Sequence, residues 1–382
     1  MDLSEMRQIN RKALFDIVRT KREVTRLELQ QITGFSSPFI MEISNDFIEK
    51  NILVLTGKKT GAVGRRPFTM VFNPNVFLSI GIELAGNYIY AGIVNLDGEV
   101  TYQTRQMIES GDEFSAILKC IARLVRTGES VGIRCSAVGI ALPGSVGEDE
   151  GGVYSIRSLW EGEADPPAGN TEKRGNSRKT YISEMLEEIR ERYHIPVYFE
   201  NDVNARAIGE HYLRQMQNHA PNDLIFISYT EFGLGAGIVI DGKLRKGQHA
   251  LAGAIGSMVK DVDEQVAPHC KGALEARISR EAIRQKFGID LEEGHVPPEV
   301  IDHIASAVSP FIADILNILD FEQVALGGGL CDICGDALVD RIREYVSRQT
   351  LNACHVEKTL TEYSGVVGSA LMASDFLCDL VL

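Results

Sequence analysis

Apolar and polar positions in the first seventy-five residues follow two different periods. From Met6 to Ile17 the apolar residues Met6, Ile9, Leu14 and Ile17 approximate one stripe of a helix, with Arg7, Arg11, Lys12 and Arg19 between and beyond them. Thr25 is placed to cap a second helix, with Glu28 three residues on in the capping-box position. Gly34 supplies the permissive backbone of a tight turn. Ser37 is placed to cap a third helix with Pro38 at its first position, and Ile40, Ile43 and Phe47 turn one face of that helix inward. The period then shortens. Residues 52–55 read as a strand, 58–66 as a loop rich in glycine and basic residues, and 68–72 as a second strand. This order predicts a winged helix-turn-helix over residues 1–75.

Beyond residue 75 a pattern of strands occurs twice. Residues 78–83, 88–95 and 98–104 form one set, with the hairpin signal Asp97-Gly98; residues 224–229, 235–240 and 243–244 form another, with Asp241-Gly242. A glycine loop precedes the second strand each time, around Gly86 and around Gly233 and Gly235. Such self-similarity points to internal duplication. Helical stretches at 113–126, 181–193, 298–319 and 336–348 alternate with strands, which predicts an α/β, multi-domain protein with two lobes and a cleft between them. Residues 161–179, rich in Pro, Gly, Asn and mixed charge, read as an exposed surface insertion or a lid.

Charge changes the picture of what the head meets. The net charge of −14 is uneven: residues 1–75 sum to +4 and the remainder to −18. A basic head on an acidic body keeps affinity for polyanions local. The expected DNA-contacting residues are Arg7, Arg26, Ser36, Ser37, Phe39, Met41, Arg65 and Arg66. Arg65 and Arg66, between Gly64 and Pro67, are placed to reach phosphates or a minor groove from the wing, unless that hairpin is merely solvated. Phe39, Met41 and Glu42 are unusual on the outward side of a reading helix. Phe39 either meets thymine methyls or packs on a neighbouring element.

Hydrophobic content of 44% and charged content of 24% suit a soluble globular chain, and no apolar run approaches the roughly 20 residues that span a bilayer. The N-terminus lacks a signal-peptide pattern, so a cytoplasmic location with no membrane partner is expected. The seven cysteines are scattered, and Cys331-Asp332-Ile333-Cys334 reads as a buried reduced pair rather than a zinc site.

The ordered motifs resemble the ROK family (repressor, open reading frame, kinase) of the actin-like ATPase superfamily over nearly the whole chain. The head is similar to that family's repressor branch in Arg7, Asn10, the 25–35 block and Gly64-Arg65-Arg66-Pro67. The body is similar in Gly139-Ile140-Ala141-Leu142-Pro143-Gly144, in Glu200-Asn201-Asp202-Val203-Asn204-Ala205, in Glu210 and in Asp241-Gly242-Lys243-Leu244. Val324 to Gly329 and Gly365 to Ala370 complete the set. The resemblance implies a first lobe of 76–195 joined by a C-terminal helix of 365–382, and a second lobe of 196–364.

It also implies roles. Asp202 stands at the position of a kinase's base, Asn201 at that of a sugar-hydroxyl ligand, and Gly144 and Glu275 complete the expected ligand-binding set. Asp202 is alternatively a cap for a helix starting at Val203. The first phosphate loop departs from the family at Glu83, Ala85 and Asn87, and the second reads Glu231-Phe232-Gly233, which would repel and fill the space of a triphosphate. The family's Gly-Glu-Ile-Gly-His reads Gly253-Ala254-Ile255-Gly256-Ser257, and its zinc cysteines are replaced at Val266, Pro268 and Ala273, with Cys270 off the spacing. No metal, no nucleotide cofactor and no catalysis is expected, Asp202 being a vestige. The implied protein is a homodimeric or tetrameric repressor of carbohydrate-utilisation genes that binds double-stranded operator DNA and responds to a sugar or sugar-derived effector. An active ROK sugar kinase with a regulatory head, or a regulator answering to a protein partner, are the alternatives.

Overall fold

The computed structural model describes residues 3–58, 68–109, 112–148, 154–157, 185–217, 221–229, 233–260, 272–291 and 296–381. The expected segment 161–179 and the wing loop carrying Arg65 and Arg66 lie outside them.

The head runs α1 (Leu3–Lys21), β1 (Glu23–Val24), α2 (Arg26–Thr33), α3 (Ser37–Glu49), β2 (Leu53–Lys58) and β3 (Phe68–Phe72), with the strands ordered β1-β3-β2. Thr25 caps α2 through a reciprocal box: its hydroxyl accepts from the Glu28 amide at 3.2 Å, and the Glu28 carboxylate accepts from the Thr25 amide at 2.7 Å. Gly34 closes that helix at φ +71°. The third helix starts one residue earlier than its sequence suggests. Ser36 is the N-cap, with no side-chain bond, and Pro38 sits within the first turn, where its missing N–H leaves no helical bond unmade. The stripe on α1 also differs from expectation. Met6 and Ile9 face solvent, and Leu14, Phe15 and Val18 are buried, because the head core forms under the C-terminal half of the helix. In that core Phe15 meets Phe47 and Phe72 edge-on, with centroids 6.4 and 5.9 Å away.

The first lobe holds β4 (Leu78–Ala85), β5 (Tyr88–Val94), β6 (Val100–Met107), α4 (Glu113–Ser130), β7 (Cys135–Leu142), β8 (Ser145–Glu148), β9 (Tyr154–Arg157), a helix α5 over 185–193 and β10 (Val197–Asn201). Its main sheet is ordered β10-β7-β4-β5-β6, with β4, β7 and β10 parallel and β5 and β6 antiparallel. Because β10 pairs with β7, the first lobe runs through Asn201, beyond the expected division after residue 195.

The second lobe holds α6 (Asp202–Met216), β11 (Leu224–Tyr229), β12 (Leu234–Ile240), β13 (Lys243–Leu244), α7 (Ala273–Ile278), α8 (Arg280–Phe287), α9 (Pro298–Leu319), β14 (Gln323–Gly327), α10 (Gly329–Cys334), α11 (Asp336–Ser347) and β15 (His355–Lys358). Its sheet, β13-β12-β11-β14-β15, repeats the strand order of the first. The duplication legible in the hairpins is thus carried through both sheets. Helix α9 has the length and apolarity to cross a membrane, but Val300, Ile304, Ile312 and Leu316 are buried in the second-lobe core. Cys331 and Cys334 are free thiols in that core.

The last helix, α12 (Ser364–Val381), joins all three parts. It lies on β4 and β7 and crosses α6, where Gly209 faces the Ser364 carbonyl and Gly368 faces the Ala205 carbonyl so closely that a Cβ on either would overlap the oxygen. Its far end reaches the head. Cys378, with Leu96 of the first lobe, is buried in the same apolar cluster as Phe15 and Phe47.

Candidate functional site

In the head, the exposed side of α3 carries Ser36, Ser37, Met41, Glu42 and Asn45. Phe39 is half-buried and packs edge-on against Phe35 at 5.3 Å, which favours its packing role over a base contact. Arg7 pairs with Glu42, and Arg26 donates to Ser44 Oγ at 2.8 Å and to Asn45 Oδ1 at 2.6 Å. Both arginines therefore brace the exposed side of α3 and neutralise or orient what it shows. Several other head cations are turned away from it: Lys12 pairs with Asp379, Arg19 with Asp375 at 2.7 Å and Arg22 with Asp97.

In the body, the turn from β10 into α6 collects polar side chains. Asn201, not Asp202, is the N-cap, its side-chain Oδ1 accepting from the Asn204 amide at 3.0 Å. Its Nδ2 donates to the Gly144 carbonyl at 2.7 Å and to Asp202 Oδ1 at 2.9 Å. Both amide protons are thus used within the protein, and a ligand hydroxyl would meet only the remaining lone pair. Behind this turn Glu200 is fully buried, accepting from the Asn201 amide at 2.9 Å and paired with Lys246 at 2.6 Å. Burial pushes the Asp202 carboxyl above its ordinary value, against the pull of the Arg206 charge and of nearby backbone amides.

One helical turn on, Arg206 reaches back across the lobes to Glu83 of β4. Glu83 is fully buried; burial raises its carboxyl, and Arg206 opposes the shift. The guanidinium is itself buried, and Glu83 and then Asp202 hold it protonated. Arg206 also lines a cavity of about 790 Å³ between the lobes, with Tyr88, Arg105, Tyr229, Glu275 and Arg280 among the other walls. Gly144, Asn201 and Asp202 form one cluster, and Glu275 lies on the cavity wall next to Gly233 and Gly256. Arg206 lines the cavity and also acts on the Asp202 carboxylate by its charge. The sequence reading missed it, although a lone arginine between Ala205 and Ala207 on an otherwise small helical face was a visible signal. Glu231, Phe232, Val266, Pro268 and Cys270 fall outside the described residues. Among the described residues no three of His, Cys, Asp and Glu are grouped as metal ligands.

The model of the ROK family matches residues 79–375, which hold both sheets, α6 and most of α12. The chain belongs to the ROK family. A ROK transcriptional regulator described as a homologue of the Escherichia coli Mlc protein superposes with a TM-score of 0.74 at 20% identity, covering 98% of each chain. The ROK hexokinase from Thermus thermophilus superposes with a TM-score of 0.59 at 22% identity, covering 79% of this chain and 100% of its own. In sequence, the xylose repressor of Caldicellulosiruptor bescii is 23% identical over 381 residues, 91% of this chain and 90% of the relative. The transcriptional dual regulator NagC of Escherichia coli is 21% identical over 382 residues, 91% of this chain and 87% of the relative. The Glu83–Arg206 pair places a buried protein cation beside β4.

Proposed function

We propose that this ROK protein is a sequence-specific DNA-binding transcriptional repressor whose body senses a sugar or sugar-derived effector. The observation that carries the proposal is a winged helix-turn-helix seated on a ROK body. The regulator matches 98% of the chain, whereas the hexokinase matches 79% and leaves a stretch of about the head's size unmatched. The names of the xylose repressor and of NagC support the same reading.

In this proposal the head (1–75) reads one half-site and a homodimer or tetramer reads a symmetric operator. The first lobe extends from residue 76 through β10 with α12 docked on it, and the second from α6 to β15. Ser36, Ser37 and Met41 face the DNA, Arg7 and Arg26 brace them, and Arg65 and Arg66 contact the backbone. The effector occupies the cavity beside Glu275 and Arg206, near Asp202. Its signal travels along α6, which holds Asp202 at one end and Tyr212 at the other. Tyr212 bonds the Leu96 carbonyl and lies under Arg19 of the head. Regulation requires only that the ligand favour one arrangement of the lobes. Catalysis is not part of the proposal, because Asp202 sits beside a fixed arginine and Asn201 is already committed to internal bonds.

A DNA titration at fixed salt against the upstream region of the chain's own gene, with and without a panel of sugars, tests this. Specific binding released by one sugar is expected. Absence of specific binding, combined with ATP turnover that Asp202→Asn abolishes, would replace the repressor by a kinase.

A further inference from the structure

Arg22 stands between α1 and β1 with φ +65°, in the left-handed region that a side chain with a Cβ adopts at a cost. Its backbone is fixed on both sides. The Arg22 amide donates to the Val18 carbonyl at 3.0 Å and closes α1, and the Arg22 carbonyl accepts from the Phe72 amide at 2.7 Å beside the β1–β3 pairing. A left-handed residue just past a helix is most often glycine. The other described head residues with positive φ are Gly34 and Asn51, types that take this conformation readily. A local rule broken by an arginine points to a task for its side chain.

That side chain touches all three parts of the molecule. Its guanidinium lies over Phe72 of the head core, 5.5 Å from the ring centroid. Its Nη1 pairs with Asp97, in the turn between β5 and β6 of the first lobe. Its Nη2 donates to Met216 Sδ at 3.4 Å, at the last residue of α6. The two ends differ in strength: an arginine–carboxylate bond is charge-assisted, whereas a thioether is a weak acceptor. The head's other ties divide in the same way. To the first lobe and the α12 docked on it run the bond from the Leu96 amide to the Pro74 carbonyl at 2.9 Å, the burial of Leu96 and Cys378 in the head core, and the pairs to Asp375 and Asp379. The contacts offered by α6 are the Met216 sulfur and the Tyr212 ring under Arg19.

We propose that Arg22 is a positioning residue for operator binding. It ties the head to the first lobe at Asp97 and rests on the end of α6 at Met216, so that a shift of α6 against the first lobe tilts the head. The strong contact holds and the weak one yields, which makes the head travel with the first lobe and register the position of α6. The effect on DNA rests on the repressor reading above. In a dimer, a tilt of each head changes the distance between the two reading helices while leaving each helix's own contacts intact.

The test compares the full-length protein with Arg22→Gly, which suits the backbone and deletes the side chain. Asp97→Asn and Met216→Ala cut its two ends without touching residue 22. The probes are duplexes from the upstream region of the chain's own gene, carrying one half-site, or two half-sites at spacings that differ by one base pair. For Arg22→Gly a melting temperature at or above that of the wild type is expected, with affinity for the single half-site within twofold. Discrimination between spacings should fall at least fivefold, and amide exchange across 95–99 and 212–217, measured without DNA, should quicken severalfold. Asp97→Asn should reproduce most of that loss and Met216→Ala a smaller part. Unchanged exchange with unchanged spacing discrimination would overturn the proposal. So would a lower melting temperature with a matching loss of single-half-site affinity, which would leave the side chain a purely structural role. If Arg22→Gly does not fold, the two end variants decide by the same readouts. A wild-type protein with no specific DNA binding would sink the repressor reading, and the exchange measurement would still decide whether Arg22 ties the head to both elements.

Discussion

Arg19 on α1 donates to Asp375 on α12 at 2.7 Å while its guanidinium lies over the ring of Tyr212, 5.2 Å from the centroid. One side chain of the head therefore touches both helices that cross between the lobes. Lys12 repeats the contact one turn further along α12, at Asp379. Asp375 and Asp379 are more than half exposed, so each pair contributes at most about 1 kcal/mol and is screened by salt. Replacing both with asparagine should loosen the head without unfolding it, and amide exchange across residues 3–21 should quicken severalfold at low salt. If exchange is unchanged, the apolar contacts of Cys378 and Leu96 and the Arg22–Asp97 pair hold the head without these two carboxylates.

The crossing of α6 over α12 admits no side chain at two points. Gly368→Ala would drive a Cβ into the Ala205 carbonyl, and Gly209→Ala would do the same at Ser364. Backbone is met on both sides, so neither neighbour can rotate away, and an overpacking cost of roughly 1–3 kcal/mol or more is expected for each. Thermal unfolding measures it. Gly329→Ala, with nothing within 4 Å of the added carbon, serves as the tolerated comparison. Similar melting temperatures for all three would mean that the helices separate freely.

Much of the fold is legible in the sequence because periodicity reports local geometry. The capping box at Thr25, the hairpins at Asp97-Gly98 and Asp241-Gly242 and the limits of α9 are all written in neighbouring residues. What the pattern cannot carry is partnership at long range. That β10 belongs with the first sheet follows from its pairing with β7, sixty residues away in sequence. Met6 and Ile9 look like core by spacing and are solvent-facing because nothing folds beneath them. In the site, Asn201 and Asp202 are prominent in their motif, yet the role of Arg206 depends on Glu83, 123 positions earlier. Likewise Asn201, the true cap, displaces Asp202 from the capping role that its place before Val203 suggests.

His211 on α6 gives the stability a pH dependence of known sign. Its Nε2 is buried with no partner among the described residues, and burial lowers the imidazole below its ordinary value, against the Asn222 backbone and the Asp223 charge. A depressed folded value means that the group's contribution is fully present above the unfolded value near 6.5 and is lost as pH falls through it. Melting temperature should therefore decline from pH 7 to pH 5, and His211→Gln should flatten the decline over that window. An equal slope in the variant would assign the acid sensitivity to other groups.

Asn45 and Arg65 should fail in different ways on DNA. Arg26 holds Asn45 Oδ1 at 2.6 Å, which turns the amide's N–H groups outward on the exposed side of α3. An outward donor pair suits acceptors on base edges in the major groove, whereas an arginine in the wing meets phosphate or a narrow minor groove. Asn45→Ala should cost about 1–3 kcal/mol on the cognate operator, relax preference at one base pair and leave the salt slope unchanged. Arg26→Ala should have a weaker effect in the same direction, by freeing the amide to rotate. Arg65→Ala should weaken all sequences alike and reduce the salt slope by about 1. Competition binding against single-base operator variants at several salt concentrations separates these outcomes. If Asn45→Ala leaves the base preference intact, the reading passes to Ser36, Ser37 and Met41 at the front of the helix.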